Sequence, residues 1–464
     1  MHQSSSKKEI RNILVIYFLT WLGIFILVTL RISRGKREFL EAANLFFEFL
    51  SNSSFIVAIH ILFGLTLVLF WIIRYFVRIY KKKGLRIMIK QLAFRFLIPL
   101  LVVLITYKTL VFANSNENYS FDWTESVMNT KGEPNDFYST DKMHRGMSVF
   151  GWGSIANKDA TDALIKANVE WIAIIPFIDQ EDETSKTVRN PVNPKVKWLS
   201  RDSVFIKSIK EIHKRGLRVQ LKPHLWTFEG WRANLMHQSD EDWNTWFDSY
   251  ENYMLYYAHL AEHTGVELFC IGTELKSSIK KQPERWKKLI EKIRNIYSGK
   301  LTYAANWHDE YEHIDFWNDL DFIGIQAYFP LTKNKTPDLE TIEKGWAKHI
   351  TRLEILHKTY EKPILFTEVG YRSDVSATIK PWEWDSTFSA LYKKKSDRTQ
   401  QLAHEALFKQ LWGKRWFAGV YIWQWDHRST KANASKNLDF SPRFKPAENT
   451  IAKWFGKPVE KEQL

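Results

Sequence analysis

Residues 267–275 read ELFCIGTEL, a short apolar run that ends in a threonine and a glutamate. An apolar run of this length is typical of a strand that is buried on both faces, as in a parallel sheet. Similar runs recur along the chain. The eight predicted strands cover residues 146–150, 171–176, 218–223, 267–272, 301–305, 322–326, 364–367 and 418–423.

Amphipathic helical patterns separate these strands. The clearest cover residues 202–215, 240–263, 283–297, 339–360 and 399–414. Eight βα units in succession predict an α/β fold, a (β/α)8 TIM barrel over about residues 144–457. An open doubly wound sheet is the alternative. That fold usually has a Gly-rich phosphate loop after its first strand, and GWGSIAN at residues 151–157 does not match G-x-G-x-x-G.

Three apolar runs precede the barrel pattern, at residues 13–30, 55–73 and 96–112. Each approaches the ~20 residues that cross a bilayer as a helix. We therefore predict a membrane anchor of three transmembrane helices over residues 1–112. The first run could also be a signal peptide, although no small-residue cleavage site follows it.

The net charge of +14 lies mainly in this anchor: residues 1–112 carry +12, and residues 113–464 carry +2. This distribution indicates a lipid bilayer as a partner and argues against nucleic acid. The connection at residues 74–95 holds eight Lys and Arg residues and should face the cytoplasm.

The same rule places the barrel on the extracytoplasmic side of the inner (cytoplasmic) membrane. Residues 113–143 are polar and lack periodicity, which predicts a linker. The first connection is also basic, which opposes this topology. Residues 39–50 are predicted to lie along the membrane interface as an amphipathic helix.

Polar and aromatic residues collect where the predicted strands end. In a TIM barrel, functional residues lie at the C-terminal ends of the strands, so we expect a site there. The residues concerned are Trp152, Lys222, His224, Trp226, Glu274, Asn306, Trp307, Tyr328, Glu368, Trp423, Trp425 and Asp426.

Glu274 and Glu368 carry the chemistry that this site suggests. Each ends an apolar strand, where an unpaired carboxylate would be costly. Strands four and seven face each other across the barrel mouth, and glycoside hydrolysis needs two carboxyl groups on either side of one bond. A structural pairing with Lys or Arg is the alternative for any single glutamate. Two glutamates on opposed strands, amid Trp, His, Asn and Tyr, favour catalysis.

The stretch from RGMSVFGWG through YIWQWD resembles glycoside hydrolase family 113, over about residues 143–456. This family is a group of β-1,4-mannanases in a clan of retaining (β/α)8 glycosidases. The motifs of the resemblance are KPHLW, FCIGTEL, GIQAYFP, FTEVGY and YIWQWD. The clan's pattern implies Glu274 as acid/base and Glu368 as nucleophile. It has Asn before the acid/base, whereas this chain has Thr273.

The expected activity is therefore retaining, endo-β-1,4-mannanase-like hydrolysis of an oligo- or polysaccharide, without a metal or organic cofactor. Tyr328 is expected to donate a hydrogen bond to Glu368. Lys222 and His224 share a side of strand three and should bind sugar hydroxyls, with a hydrogen bond to a backbone carbonyl as an equal alternative for His224.

The remaining candidates are predicted to contact the sugar chain. Trp423 and Trp425 share a side of strand eight, so one should form the floor under the reacting sugar while the other fills the barrel. Asn306 and Trp307 are expected to widen the cleft contacts. Asp426 is expected to hold a hydroxyl or to cap the following loop.

A protein of another class remains the alternative: a membrane-tethered carbohydrate-binding or polysaccharide export or assembly protein that kept the barrel and lost catalysis. The presence of both glutamates favours the enzyme. An enzyme that trims a polysaccharide during export would also suit a multi-helix anchor. The sequence leaves open the sugar, the linkage, endo or exo action, and the oligomeric state.

Overall fold

The computed structural model describes residues 2–33, 53–149, 158–189, 202–384, 386 and 388–462. The chain divides into two compact units, Met1–Lys108 and Thr109–Leu464. Two sequence predictions, the interfacial helix at residues 39–50 and the site residue Trp152, lie outside the described residues.

The second unit contains a closed barrel of eight parallel strands, which confirms the predicted barrel. Every predicted strand is present within two residues of its bounds. We number these strands one to eight in chain order: His144–Val149, Trp171–Ile174, Arg218–Leu221, Leu268–Thr273, Lys300–Asn306, Phe322–Gln326, Ile364–Val369 and Phe417–Trp425. Almost all of their side chains are buried, because the barrel interior and the surrounding helices cover both faces.

A small two-stranded parallel sheet follows strands two and three. It consists of Phe177–Gln180 and His224–Thr227, with Phe177 in register with His224. Pro176 and Pro223 separate it from the barrel strands, because proline has no N–H to continue the ladder.

All five predicted helices of the second unit are present. The α-helices of this unit after the strand-one region are Lys158–Lys166, Asp202–Lys214, Asp240–Thr264, Lys276–Lys281, Pro283–Arg294, Leu339–Tyr360, Asp397–Leu411, Lys431–Ala434 and Pro446–Phe455, and Tyr138–Asp141 precedes the barrel. The longest illustrates how the sequence sets its bounds. Ser239 accepts a hydrogen bond from the backbone N–H of Asp242 at its start, and Gly265 ends it in a left-handed conformation.

Part of the predicted linker is hydrogen-bonded to the unit that contains the barrel. Residues 114–124, which we call the strap, have no regular secondary structure after Ser115 but bond to outer elements of the barrel. A carboxylate oxygen of Glu117 accepts a hydrogen bond from the Ser396 hydroxyl at 2.8 Å. The Asn449 side chain bonds both the N–H and the carbonyl of Thr124, at 3.2 and 3.0 Å. The strap therefore belongs to the compact unit that holds the barrel.

The first unit is helical throughout its described residues. Its α-helices are His2–Ser33 and Ser53–Leu92, and a π-helical turn at Ala93–Leu97 leads into Ile98–Ser115, whose residues from Thr109 on belong to the second unit. Gly84 interrupts the second helix with a φ of +76°. The rings of Phe76 and Phe96 lie 5.3 Å apart, although 20 residues of continuous helix would separate them by about 30 Å. The chain therefore reverses at Gly84.

By length and composition, one helical segment among the described residues, Ile56–Ser115, could cross a membrane, and Arg11–Leu27 is a shorter apolar helix. The apolar side chains at residues 100–105 are 50–63 % exposed. Three separate transmembrane helices therefore stay a prediction, and the reversal at Gly84 falls between the second and third of them.

Candidate active site

Both carboxylate oxygens of Glu368, at the end of strand seven, accept hydrogen bonds. The ammonium group of Lys222 donates to Oε1 at 2.7 Å, and the Tyr328 hydroxyl donates to Oε2 at 2.9 Å. The second contact is the one that the sequence predicts for Tyr328. Glu368 is 4 % exposed, so the carboxylate lies just below the surface of the barrel mouth.

Lys222 is completely buried at the end of strand three. Besides Glu368, its ammonium group donates to the side-chain oxygen of Gln326 at 2.9 Å and to the carbonyl of Thr367 at 3.1 Å. An ammonium group has three N–H donors, and these contacts use all three. Lys222 therefore holds Glu368, where the sequence predicted a sugar contact.

His224 lies beside the same carboxylate. Its Nε2 is 3.4 Å from Oε1 of Glu368, and its ring is parallel to that of Trp423 at a centroid distance of 6.4 Å. Burial lowers the pKa of His224 well below its usual value, and the positive charges of Lys222 and Arg232 act in the same direction. The imidazole is therefore neutral at physiological pH.

Glu274, directly after strand four, also has a donor on each oxygen. The Arg232 guanidinium donates to Oε2 and the Asn306 amide to Oε1, both at 2.6 Å. Arg232 comes from a 3-10 turn, Arg232–Asn234, and also donates to the carbonyl of Thr273 at 3.1 Å. Glu274 itself has a φ of +52°, in the left-handed region that few residues other than glycine favour.

A third carboxylate, Glu310, bonds to the residue whose amide holds Glu274. It accepts hydrogen bonds from the backbone N–H of Asn306 and from the Tyr303 hydroxyl, both at 2.6 Å. Burial raises the pKa of Glu310 to about 7 against the lowering effect of these hydrogen bonds, and the charge of Glu274 adds to the rise. Sequence reasoning missed Glu310, although an acid four residues after Asn306 at a strand end was a usable signal.

The charges of both catalytic candidates affect the pKa of Tyr328. Burial raises the pKa of Tyr328 well above its usual value, and the negative charges of Glu368 and, more weakly, Glu274 raise it further. Each of the two glutamates has a cation as partner, Lys222 for Glu368 and Arg232 for Glu274. Paired carboxyl groups of this kind can act as acid and nucleophile toward one acetal bond.

Several aromatic rings adjoin the residues that bind the two glutamates. Trp307 is partly buried and stacks on Trp382 with ring centroids 5.0 Å apart. Trp423 is buried and meets the edge of Trp384 at 5.9 Å. Trp382 and Trp384 belong to the segment between strand seven and the next helix, residues 370–396, which we call the strand-seven loop. Sequence reasoning missed them because they lie well beyond the strand end.

Three other predicted residues have their described contacts elsewhere than on the glutamates themselves. Trp425 is completely buried in the main hydrophobic core, with the Arg443 guanidinium 5.6 Å from its ring centre, so it fills the barrel. A carboxylate oxygen of Asp426 accepts the backbone N–H of Arg428 at 2.8 Å and caps the following loop. Trp226 is 50 % exposed on the small two-stranded sheet, where its ring meets the edge of Phe177, and Phe177 in turn meets His224.

Comparison with known proteins gives a consistent result. The sequence model of Glycoside Hydrolase Family 113 matches residues 147–445. A solved structure titled "Complex structure of GH113 beta-1,4-mannanase" aligns with a TM-score of 0.58 and 26 % identity, over 68 % of this chain and 98 % of that chain. A GH113 β-mannanase from Alicyclobacillus acidocaldarius, in complex with ManMIm, gives 0.57 and 27 %, over 68 % and 97 %. None of the curated protein sequences matches.

Proposed function

The chain belongs to Glycoside Hydrolase Family 113 and is a glycoside hydrolase, and on that premise we propose that it is a membrane-anchored, retaining endo-β-1,4-mannanase. One observation carries the catalytic part of this proposal. Glu274 and Glu368 end strands four and seven of one barrel, and each is held at both oxygens by directed donors. Such preorganised carboxylates are what glycoside hydrolysis requires.

In the first step, an oxygen of Glu368 attacks the anomeric carbon while Glu274 gives its proton to the leaving sugar oxygen. A glycosyl–Glu368 ester forms, the glycosidic bond breaks, and Glu274 becomes a carboxylate. Lys222 and Tyr328 fix the direction of the Glu368 carboxylate. The neutral ring of His224 lies beside it and can bond a sugar hydroxyl.

In the second step, Glu274 takes a proton from water as the water attacks the same carbon, and Glu368 is released. The contact with Arg232 suits this ionised state of Glu274. Because a protonated carboxyl group binds a guanidinium more weakly, we expect the contact to loosen when Glu274 carries its proton for the first step.

The test uses the full-length protein in detergent with β-mannan, β-glucan and xylan as substrates. We expect β-mannan to be shortened fastest, and the first products to have the β-configuration by NMR, because two inversions restore it. Glu368→Gln and Glu274→Gln should each lower turnover by several orders of magnitude. Glu284→Gln, on an exposed outer helix, is the control.

Azide adds a second criterion. It attacks without needing a general base, so it should restore turnover to the Glu274→Gln variant when the leaving group is a good one, and yield a β-glycosyl azide. Turnover that survives both substitutions would exclude this pair. Binding of mannan without cleavage by the unmodified protein would favour a carbohydrate-binding protein instead.

We also propose that residues 1–112 anchor the enzyme through three transmembrane helices, with the barrel on the extracytoplasmic side of the inner membrane. Two features support this. The apolar side chains at residues 100–105 are exposed, which is unfavourable in water and favourable in lipid. Basic residues lie on both sides of the reversal at Gly84, as expected for a cytoplasmic turn.

A further inference from the structure

The strand-seven loop carries several large exposed aromatic side chains that the proposed mechanism does not use, and two of them, Trp382 and Trp384, contact aromatic rings near the glutamates. Trp382 is 41 % exposed and Trp384 is 61 % exposed, two positions apart in sequence. Two indole rings this close together form an apolar patch on the surface. Contact between this patch and water is unfavourable, so a bound ligand that covers it would gain free energy.

Each of these indoles contacts a second aromatic ring, and that ring is next to a residue that contacts one of the two glutamates. Trp382 stacks on Trp307, with an interplanar angle of 26°. Trp307 directly follows Asn306, whose amide holds Glu274. Trp382 is therefore linked to the Glu274 side of the site.

The other indole is linked to the opposite carboxylate. Trp384 meets the edge of Trp423 at an interplanar angle of 82°. The ring of Trp423 is parallel to His224, and His224 lies beside Glu368. One loop thus supplies two exposed rings near the glutamate pair, one stacked on Trp307 and the other against Trp423.

The residue between the two indoles, Glu383, is fixed by charge. Its carboxylate pairs with Lys393 at 2.7 Å, and its carbonyl accepts a hydrogen bond from the guanidinium of Arg372. Arg372 in turn pairs with Asp374 at 3.0 Å, and both of these side chains are completely buried. The rings are therefore presented by an anchored backbone, which lowers the entropy lost when a ligand binds.

We propose that Trp382 and Trp384 are two sugar-stacking positions on opposite sides of the cleaved bond, and this rests on the function proposed above. The ligand is a neutral β-linked hexose chain, whose C–H faces stack on indole rings. Glu368 bonds to the sugar that is retained, so Trp384 binds the non-reducing side. Glu274 protonates the departing sugar, so Trp382 binds the reducing side.

The experiment measures where β-1,4-mannohexaose, labelled at its reducing end, is cut by the full-length protein in detergent. Loss of Trp384 weakens the non-reducing side, so Trp384→Ala should move cleavage toward that end and lengthen the labelled product. Trp382→Ala should shorten the labelled product. Each should lower kcat/KM about tenfold, and the Phe variants should recover part of it.

Trp123→Ala is the matched control, because Trp123 is 38 % exposed on the strap. It should leave the cleavage pattern unchanged. Unchanged patterns in both loop variants, or shifts in the same direction, would overturn the inference while leaving the hydrolase intact. If the unmodified protein cleaves nothing, the proposed function fails, and calorimetric binding of mannohexaose decides the inference: equal affinity in both variants and the parent overturns it.

Discussion

The ammonium nitrogen of Lys222 lies 2.7 Å from Oε1 of Glu368, with side-chain exposures of 0 % and 5 %. At such depth, removal of one partner leaves an uncompensated charge in a poorly solvated place. Removal of both charges leaves neither. The pair therefore makes a stability prediction that is independent of any substrate.

Lys222→Met should lower the free energy of unfolding by about 3–5 kcal/mol. The double variant Lys222→Met/Glu368→Gln should recover much of this loss, because no buried charge is left unpaired. Denaturant unfolding followed by tryptophan fluorescence, in detergent, measures both. An exposed pair, Lys344 with Glu340, serves as control and should cost under about 1 kcal/mol. Simple additivity of the two buried substitutions would contradict the prediction.

Glu310 should make stability depend on pH in a defined direction. Its pKa is raised from 4.5 to about 7, so between these values the unfolded chain has lost a proton that the folded chain keeps. Stability then falls as pH rises through this window, by up to about 1.4 kcal/mol per pH unit. Glu310→Gln cannot titrate, so its unfolding free energy should lack this component. Parallel curves for parent and variant from pH 4 to 8 would refute the assignment.

Glu117 should stabilise the helix Asp397–Leu411 from outside the helix. It accepts hydrogen bonds from the Ser396 hydroxyl and from the backbone N–H groups of Asp397 and Arg398. Helix N-termini leave such donors unpaired and favour negative charge. We expect Glu117→Ala to cost about 1–2 kcal/mol in thermal or denaturant unfolding.

The control for this variant is Glu125→Ala, in the same stretch of chain before the barrel. The Glu125 side chain is 73 % exposed, and its ion pair with Lys166 is long, at 3.7 Å. Its replacement should change the unfolding free energy by less than about 0.5 kcal/mol. Equal losses in the two variants would mean that Glu117 acts through general charge and not as a cap.

The proposed topology can be tested by thiol labelling. Burial raises the pKa of Cys270 to about 11, and its side chain is fully buried, so the native cysteine should not react at neutral pH. Lys82→Cys, next to the reversal at Gly84, should react with a membrane-impermeant maleimide only in opened cells. Asp122→Cys, on the strap, should react in intact spheroplasts. The reverse pattern would invert the topology.

The barrel could be predicted because its signal is local. Each strand is a short apolar run, and each helix has one apolar face, so periodicity alone located all eight strands within two residues. The two catalytic candidates followed from the same pattern, because a polar residue at the end of an apolar strand stands out.

The rest of the site depends on tertiary packing. Arg232 reaches Glu274 from a 3-10 turn, and Trp384 reaches Trp423 from the strand-seven loop. No sequence period fixes the direction of such side chains. Trp423 and Trp425 were predicted to share a side of strand eight. The pairing register with strand one shifts by one residue between them, because Ser148 faces Trp423 and Val149 faces Trp425. Strict alternation therefore fails there.

The left-handed backbone of Glu274 has an evolutionary consequence. A residue with a side chain pays a conformational penalty at a φ of +52° that glycine avoids and asparagine largely tolerates. If selection for hydrolysis were lost, substitutions of Glu274 by glycine or asparagine would be favoured, because they relieve this backbone penalty. In a descendant that binds sugars without cleaving them, we therefore expect glycine or asparagine at position 274.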